Sequence, residues 1–268
     1  MKHGLENRRI VNTRAEHQAA VLDDLLHARG AVTLEYPCLE IVPVDDASAF
    51  DAALRDLIAG RYHWLTLTSA NTVFALARRL ESAGLKLTGA SFRSAAIGPA
   101  TREAARRWLG LESMVVSEEF VAESMADAIP IRSGERVLLP ESTIARTTLA
   151  DMLRARGADV TVVPVYRTEC GHGGEDVPGL LAQGKIDALT FTSTSTVTNF
   201  LERLAREGGR LDDLRGVCAA CIGPVTADAA RRGGFVNVLM PSEYTLTALA
   251  AAMDNYFCNQ PSRQEGGS

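Results

Sequence analysis

The sequence lacks the features that mark several classes of protein. None of its apolar runs approaches the roughly 20 residues that a membrane-spanning helix needs. No apolar stretch follows the charged first residues, so a secretory signal is not expected. Lysine is scarce, with only Lys2, Lys86 and Lys185, and the net charge of -5 argues against a general nucleic-acid binder. We therefore expect a cytoplasmic protein with no membrane or nucleic-acid partner.

Cysteine and histidine are also few and show no ligand pattern. The five cysteines have no disulfide spacing, and the five histidines form no cluster. Cys218 and Cys221 match the C-x-x-C motif of redox and metal sites, but the apolar residues around them favour a short buried strand. Dinucleotide, Walker, nucleophile-elbow and zinc-protease motifs are missing from the sequence. We expect neither a cofactor nor a metal.

The chain contains an internal repeat. Three blocks of the first half recur in the second half, in the same order and at offsets of 124, 125 and 127 residues. The paired blocks are residues 64–73 with 188–197, 96–101 with 221–226, and 27–32 with 154–159. These matches indicate a duplicated unit of about 125 residues, which is too long for a solenoid repeat.

Within each copy, short apolar runs alternate with segments of helical periodicity. This alternation predicts a parallel sheet with helices on both faces, and therefore an α/β fold of two related parallel-sheet domains. The predicted helices include 15–29, 70–83 and 99–109. The predicted strands are 9–12, 32–36, 64–67, 94–97, 114–116, 137–139, 160–163, 189–191, 217–222 and 236–239.

Two proline-containing extended segments, residues 36–43 and 163–168, occupy matching places in the repeats. Proline breaks helices and favours extended geometry in the residue before it. We interpret them as two crossings between domains, which form a two-stranded hinge and place the active site in the cleft between the domains. The predicted organisation is a discontinuous domain of residues 1–38 and 168–257, an inserted domain of 44–163, hinge strands 39–43 and 164–167, and a disordered tail 258–268.

Ligands of open parallel sheets bind beyond the carboxyl ends of the strands. Ser69 and Ser193 follow two predicted strands and open helices, and two Gly-Pro pairs, at 98 and 223, open two more. Such helix starts present free backbone N–H groups to anions, although ordinary N-capping favours the same residue types. The hydroxyls of Thr101 and Thr226 are further candidate donors. Candidate ionisable groups are Arg14, Arg146, Arg167 and Tyr166; Tyr166 could instead be an aromatic residue that packs on the hinge.

The ordered set of these motifs resembles the uroporphyrinogen-III synthase family from about residue 9 to residue 256. One departure is visible, because Glu141 stands after the Val-Leu-Leu-Pro segment where many members carry arginine. The matching segments are Thr-Arg at 13–14, LTSAN at 67–71, IGPAT at 97–101, VYRT at 165–168, FTS at 191–193 and IGPVT at 222–226.

The resemblance implies a monomeric, cofactor-free lyase of porphyrin and heme biosynthesis. It implies that hydroxymethylbilane, a linear tetrapyrrole with eight carboxylates, is cyclised with loss of water and inversion of ring D through a spiro intermediate. Hand-over of this substrate from the upstream deaminase is a possible partnership. Tyr166 is the candidate acid for the departing hydroxyl group. The candidate substrate-binding residues are Arg14, Ser69, Asn71, Thr101, Arg146, Ser193 and Thr226.

Two other interpretations remain open at this stage. A non-catalytic sensor or regulator of tetrapyrrole-type ligands could keep the same cleft, although no DNA-binding helix pair or additional domain is evident. A duplicated isomerase of the amino-acid racemase type would carry a cysteine at each strand end, where this chain has Ser69 and Ser193.

Overall fold

The computed structural model describes residues 3–119 and 121–260. These residues form two compact units: unit 1 contains the described residues up to Glu40 and from Glu169, and unit 2 contains the described residues of Ile41–Thr168. The chain enters unit 2 through strand β3 (Glu40–Pro43) and leaves it through strand β8 (Asp159–Glu169). These strands, which are neighbours in one sheet, include residues 40–43 and 164–167 of the segments predicted as hinge strands. Hinge motion itself stays a prediction.

Unit 1 is built on a five-stranded sheet in the order β11-β10-β9-β1-β2, with parallel pairing throughout. Its strands are β1 (Arg9–Asn12), β2 (Val32–Glu35), β9 (Ala188–Phe191), β10 (Cys218–Cys221) and β11 (Asn237–Leu239). Its helices are α1 (Glu16–His27), α7 (Val177–Ala182), α8 (Thr194–Arg206), α9 (Pro224–Arg232) and α10 (Leu246–Cys258).

Unit 2 is built on a six-stranded sheet in the order β3-β8-β7-β4-β5-β6, and the strands from β8 to β6 pair in parallel. Its remaining strands are β4 (Trp64–Leu67), β5 (Arg93–Ala96), β6 (Val115–Val116) and β7 (Arg136–Ser142). Its helices are α2 (Ser48–Ile58), α3 (Ala70–Ser82), α4 (Pro99–Leu109), α5 (Ala122–Ala128) and α6 (Thr148–Ala155).

The two sheets follow one strand order. The repeat pairs β4 with β9 and β5 with β10, and each of these strands occupies the same place in its own sheet. All four strands are short, β4, β9 and β10 are buried along their whole length, and β5 is buried after its exposed first residue, Arg93. Burial of this kind is expected in a parallel sheet that helices cover on both faces. The predicted α/β class with parallel sheets is therefore confirmed.

Each sheet has an apolar core on both of its faces. In unit 1, Phe191, Phe200 and Phe235 pack on one face, while Ile10, Leu22 and Met253 pack on the other. In unit 2, one core contains Leu65, Leu76 and Val165, and the opposite core contains Trp64, Leu139 and Leu153. These cores fix the positions of the strand ends and of the loops that follow them.

The Cys-x-x-Cys segment is structural. Cys218 and Cys221 are the ends of β10, both are buried, and both are free thiols. Burial raises the pKa of each thiol to about 12, so neither forms a reactive thiolate near neutral pH. Across residues 3–119 and 121–260, no group of three or more histidine, cysteine, aspartate or glutamate side chains could hold a metal ion.

Several boundaries differ from those predicted. Predicted strand 160–163 and the extended segment after it form one continuous strand, β8, of 11 residues. Helix α10 continues to Cys258, where the disordered tail was predicted to begin, and residues 261–268 of that tail lie outside the described residues. None of the helices in the described part of the chain has the length and apolar character to cross a membrane.

Candidate functional site

In unit 2, the loop after β4 places two predicted site residues next to each other. Ser69 is the N-cap of α3, and its Oγ accepts a hydrogen bond of 3.0 Å from the backbone N–H of Thr72. The same Oγ lies 3.3 Å from the hydroxyl oxygen of Tyr166, which belongs to β8 and is only 6% exposed. The phenol of Tyr166 is therefore fixed at the carboxyl end of β4 by a core that surrounds its ring.

The backbone around Tyr166 also holds the loop after β7. The N–H of Thr143 donates to the carbonyl oxygen of Tyr166 at 3.0 Å, and Ser142 pairs with Tyr166 after an irregularity in the ladder between Glu141 and Ser142. Such an irregularity redirects side chains at a strand end. The loop that follows carries Arg146, which is exposed and makes no side-chain hydrogen bond or ion pair with any described residue.

The second helix start of unit 2 has the predicted Gly-Pro form. Gly98 is the extended N-cap of α4 and Pro99 occupies its first turn, so the backbone N–H groups that follow have no side-chain cap. Thr101 lies in this first turn but is only 5% exposed. Asn71 lies in the first turn of α3 and is half-buried.

Glu141 is the unexpected member of this edge. It lies near the end of β7 and is 6% exposed, whereas a carboxylate at a strand end usually faces solvent. Burial raises the pKa of its carboxyl group to about 7. The sequence showed Glu141 as a departure from the family pattern, but it carried no signal that the side chain would be buried.

In unit 1, the end of β1 holds Arg14. Thr13 donates its hydroxyl to the carbonyl oxygen of Thr190 at 2.5 Å, and Asn12 Oδ1 accepts from the backbone N–H of Arg14 at 3.1 Å. The guanidinium Nε donates to the carbonyl oxygen of Gln18 at 2.9 Å, and no carboxylate of a described residue forms an ion pair with it. Burial lowers the pKa of Arg14, but an arginine keeps its charge at neutral pH.

The other two predicted helix starts lie at the same edge of unit 1. Ser193 caps α8 through a capping box with Thr196, and Gly223 is the extended N-cap of α9 with Pro224 in its first turn. Thr226 is in that turn and is only 5% exposed. The structure thus confirms that four predicted segments open helices at strand ends, two in each unit.

One residue of this edge was missed by the sequence analysis. Tyr244 is 62% exposed, and its ring lies about 3.5 Å from the position that a Cβ at Gly223 would occupy. An exposed tyrosine beside an uncapped helix start offers an aromatic face together with backbone donors. Nothing in the local sequence predicts this packing, because it depends on the course of the loop that leads to α10.

Capping substitutions test the account of these helix starts. Ser193→Ala should reduce the free energy of unfolding by about 1 kcal/mol, because the first turn of α8 loses the acceptor for the backbone N–H of Thr196. Urea denaturation followed by circular dichroism measures the change. Thr198→Ala, which removes an exposed hydroxyl from the same helix, is the control and should have a clearly smaller effect.

Comparison with known proteins identifies the family. The family model described as uroporphyrinogen-III synthase HemD matches residues 20–251. The chain belongs to the uroporphyrinogen-III synthase family. Uroporphyrinogen-III synthase of Synechococcus elongatus is 31% identical over 94% of this chain and 96% of its own length. Porphyrin biosynthesis protein HemD of Ruminiclostridium josui is 30% identical over 87% of this chain, but the match spans 45% of its own length.

Solved structures of the family share the fold. A mutant uroporphyrinogen III synthase of Thermus thermophilus matches with a TM-score of 0.57 at 20% identity, over 94% of this chain and 100% of that one. The uroporphyrinogen-III synthetase of Helicobacter pylori matches with a TM-score of 0.54 at 17% identity, over 91% and 97%. These likenesses support the α/β architecture described above.

Proposed function

We propose that this protein converts hydroxymethylbilane into uroporphyrinogen III, in the manner of a cyclising hydro-lyase. Membership of the uroporphyrinogen-III synthase family, matched over residues 20–251, is the observation that carries the proposal. The geometry of the strand ends supports it, because helix starts with free N–H groups suit a substrate with eight carboxylates.

We further propose that the strand ends of both units contribute to binding one substrate molecule. Arg14 and Arg146 would each pair with a substrate carboxylate, while Ser69, Asn71, Thr101, Ser193 and Thr226 would support the helix starts that bind others. Charge-assisted hydrogen bonds of this kind contribute roughly 1.5–3 kcal/mol each. Several of them would hold the chain of four pyrroles in a closed shape before any bond forms.

The reaction needs a proton for the departing hydroxyl group and a substrate that is held in position for ring closure. Electrons from a pyrrole nitrogen expel the hydroxyl group as its C–O bond breaks, and the Tyr166 O–H would supply the proton that makes this group water. The resulting azafulvene carbon bonds to the substituted carbon of ring D and forms the spiro intermediate. The older bond from that carbon to its methylene bridge then breaks, and the bridge bonds to the unsubstituted α-carbon of ring D. That carbon loses its proton, which would return to the Tyr166 phenolate, and the ring is inverted. A buried phenol beside Ser69 suits proton donation in a site with little water.

Tyr166→Phe tests this role. The turnover number should fall by a small factor, roughly two- to fivefold, because positioning of the substrate contributes most of the acceleration and the phenyl ring keeps the core packed. Initial rates at saturating hydroxymethylbilane measure the change. Tyr62→Phe, in the same core but away from the strand ends, is the matched control and should keep the wild-type rate. An unchanged turnover number in Tyr166→Phe would remove Tyr166 from the mechanism.

Compartment and assembly are part of the same proposal. All five cysteines lie among the described residues and carry thiols rather than disulfides, which suits a reducing compartment such as the cytoplasm. We propose a monomer that takes its substrate from the upstream deaminase.

The direct test of function is product analysis. Hydroxymethylbilane closes spontaneously to the type I isomer, so a sample without protein provides the baseline. Added protein should form the type III isomer at a rate proportional to its concentration, as measured by chromatography of the oxidised products. Production of type I alone at the spontaneous rate would refute the proposed activity.

A further inference from the structure

Glu141 has no role in the mechanism above, yet it is the most deeply buried carboxylate at the strand ends of unit 2. Val137 and Leu139 of β7 pack in the core that contains α5 and α6, while Leu138 packs in the opposite core. Side chains alternate along a strand, so Glu141 belongs to the face of Val137 and Leu139. It therefore lies at the carboxyl end of β7, on the face that α6 covers.

The carboxyl group of Glu141 has no partner among the described residues. The buried polar atom left unpartnered in that part of the chain is Nε of Arg9, so the oxygens of Glu141 keep a small contact with solvent. The side chain is thus largely buried while its carboxyl tip stays accessible to solvent. A carboxyl group in such surroundings favours its neutral, proton-donating form.

The charged and titratable groups on the adjoining segments form no ion pair or hydrogen bond with Glu141. Arg146 of the following loop forms no ion pair with it, Asp151 of α6 pairs with Arg154, and Arg167 of β8 pairs with Asp45. The hydroxyl of Tyr166 contacts Ser69 instead. Burial alone accounts for the raised pKa of Glu141, with no contribution from a neighbouring charge.

The start of α6 is the second feature of this face. Thr147, its N-cap, makes no side-chain hydrogen bond to the helix, so the first N–H groups of α6 lack a side-chain acceptor. A carboxylate bound there would meet backbone donors from α6, and a neutral Glu141 would add an O–H donor. An ionised Glu141 at the same place would instead repel the carboxylate.

We propose that Glu141, as a neutral carboxylic acid, donates a hydrogen bond to one carboxylate of the tetrapyrrole substrate at the carboxyl edge of unit 2. The inference rests on the proposed function and names a specificity residue for the same site. The bond is of the short O–H···O⁻ type, and no covalent bond changes. Binding therefore requires the proton on Glu141, and the affinity falls as that proton is lost.

The pH dependence of the Michaelis constant KM tests the proposal. In the wild-type protein KM should be level below about pH 7 and should rise by up to about tenfold per pH unit above it. In Glu141→Gln the amide still donates but does not ionise, so KM should stay level from about pH 6 to about pH 9. The kcat profiles of the two proteins should coincide.

Glu81→Gln provides the matched control. Glu81 is exposed in the last turn of α3, and its replacement removes the same charge without touching the strand ends, so its KM profile should follow the wild type. A thermal unfolding curve for each variant establishes that it is folded at each pH. Identical KM profiles in wild type and Glu141→Gln, or a level wild-type profile, would overturn the role of Glu141. Absence of type III product from the wild type would instead refute the proposed function itself.

Discussion

Arg203→Ala should lower the free energy of unfolding of unit 1 by about 3–5 kcal/mol. This is the largest loss that we expect from replacing a residue of a type that usually lies at the surface. Arg203 lies in α8 and is 3% exposed, although arginine is among the residues least often buried. Its guanidinium lies 3.6 Å from the centroid of the Tyr36 ring, and its Nε donates to Glu207 Oε1 at 2.7 Å. Each of the three guanidinium nitrogens donates a hydrogen bond.

The same guanidinium binds two segments of unit 1, one just before β3 and the other just after β8. It donates to the carbonyl oxygen of Pro37 at 2.8 Å, just before β3, and to that of Gly173 at 2.5 Å, just after β8. The Tyr36 hydroxyl donates to Glu207 at 2.7 Å and closes the network. Without Arg203, two carbonyl groups lose their donor and Glu207 loses its ion-pair partner, which is why the expected cost exceeds that of a surface ion pair.

Urea unfolding monitored by circular dichroism measures this effect. Arg203→Lys keeps the positive charge but loses the planar fork, so it should recover only part of the lost stability. Arg215→Ala removes an exposed arginine that pairs with Asp212, and it should cost no more than about 0.5 kcal/mol. Equal, small losses for Arg203→Ala and Arg215→Ala would show that the network contributes little.

Glu141→Gln should raise the free energy of unfolding at pH 8 by about 3 kcal/mol. The carboxyl group has a pKa of about 7 in the folded chain, against an ordinary value of 4.5, so the folded state resists its ionisation. At low pH the group is neutral in both states and costs nothing. As the pH rises from about 4.5 to about 7, ionisation favours the unfolded chain, and above pH 7 the penalty is complete.

The gain should therefore shrink to less than about 1 kcal/mol at pH 5. Urea unfolding of wild type and variant at the two pH values gives the difference directly. Glu81→Gln, at an exposed position of the same unit, should show no comparable dependence on pH. An equal stability of wild type and Glu141→Gln at pH 8 would mean that water reaches the carboxyl group freely.

Much of the fold follows from local sequence. Strand β4 and the helix start at Gly98 were predicted to within a residue, because an apolar run buried on both faces and a Gly-Pro pair are local signals. Strand 160–163 and hinge strand 164–167 were predicted as separate elements, whereas they form the single strand β8. The strand continues through Pro164. Its pairing with β7 skips Val165 and resumes at Tyr166.

The candidate site depends more on tertiary structure. The contact between Ser69 and Tyr166 joins residues 97 positions apart, so no local pattern reports it. The burial of Glu141 and Arg203 could not be predicted from the sequence either. Charged residues usually face water, and an exception depends on tertiary packing. The sequence identified the strand ends as the place for chemistry, but the packing of the units decides which side chains are neutral, charged or enclosed there.

A single-turnover experiment shows whether the protein itself directs the ring closure of hydroxymethylbilane. With protein in molar excess, all of the substrate is bound and spontaneous closure has little substrate to act on. Directed closure should make nearly all of the product the type III isomer. Mostly type I isomer under these conditions would contradict it.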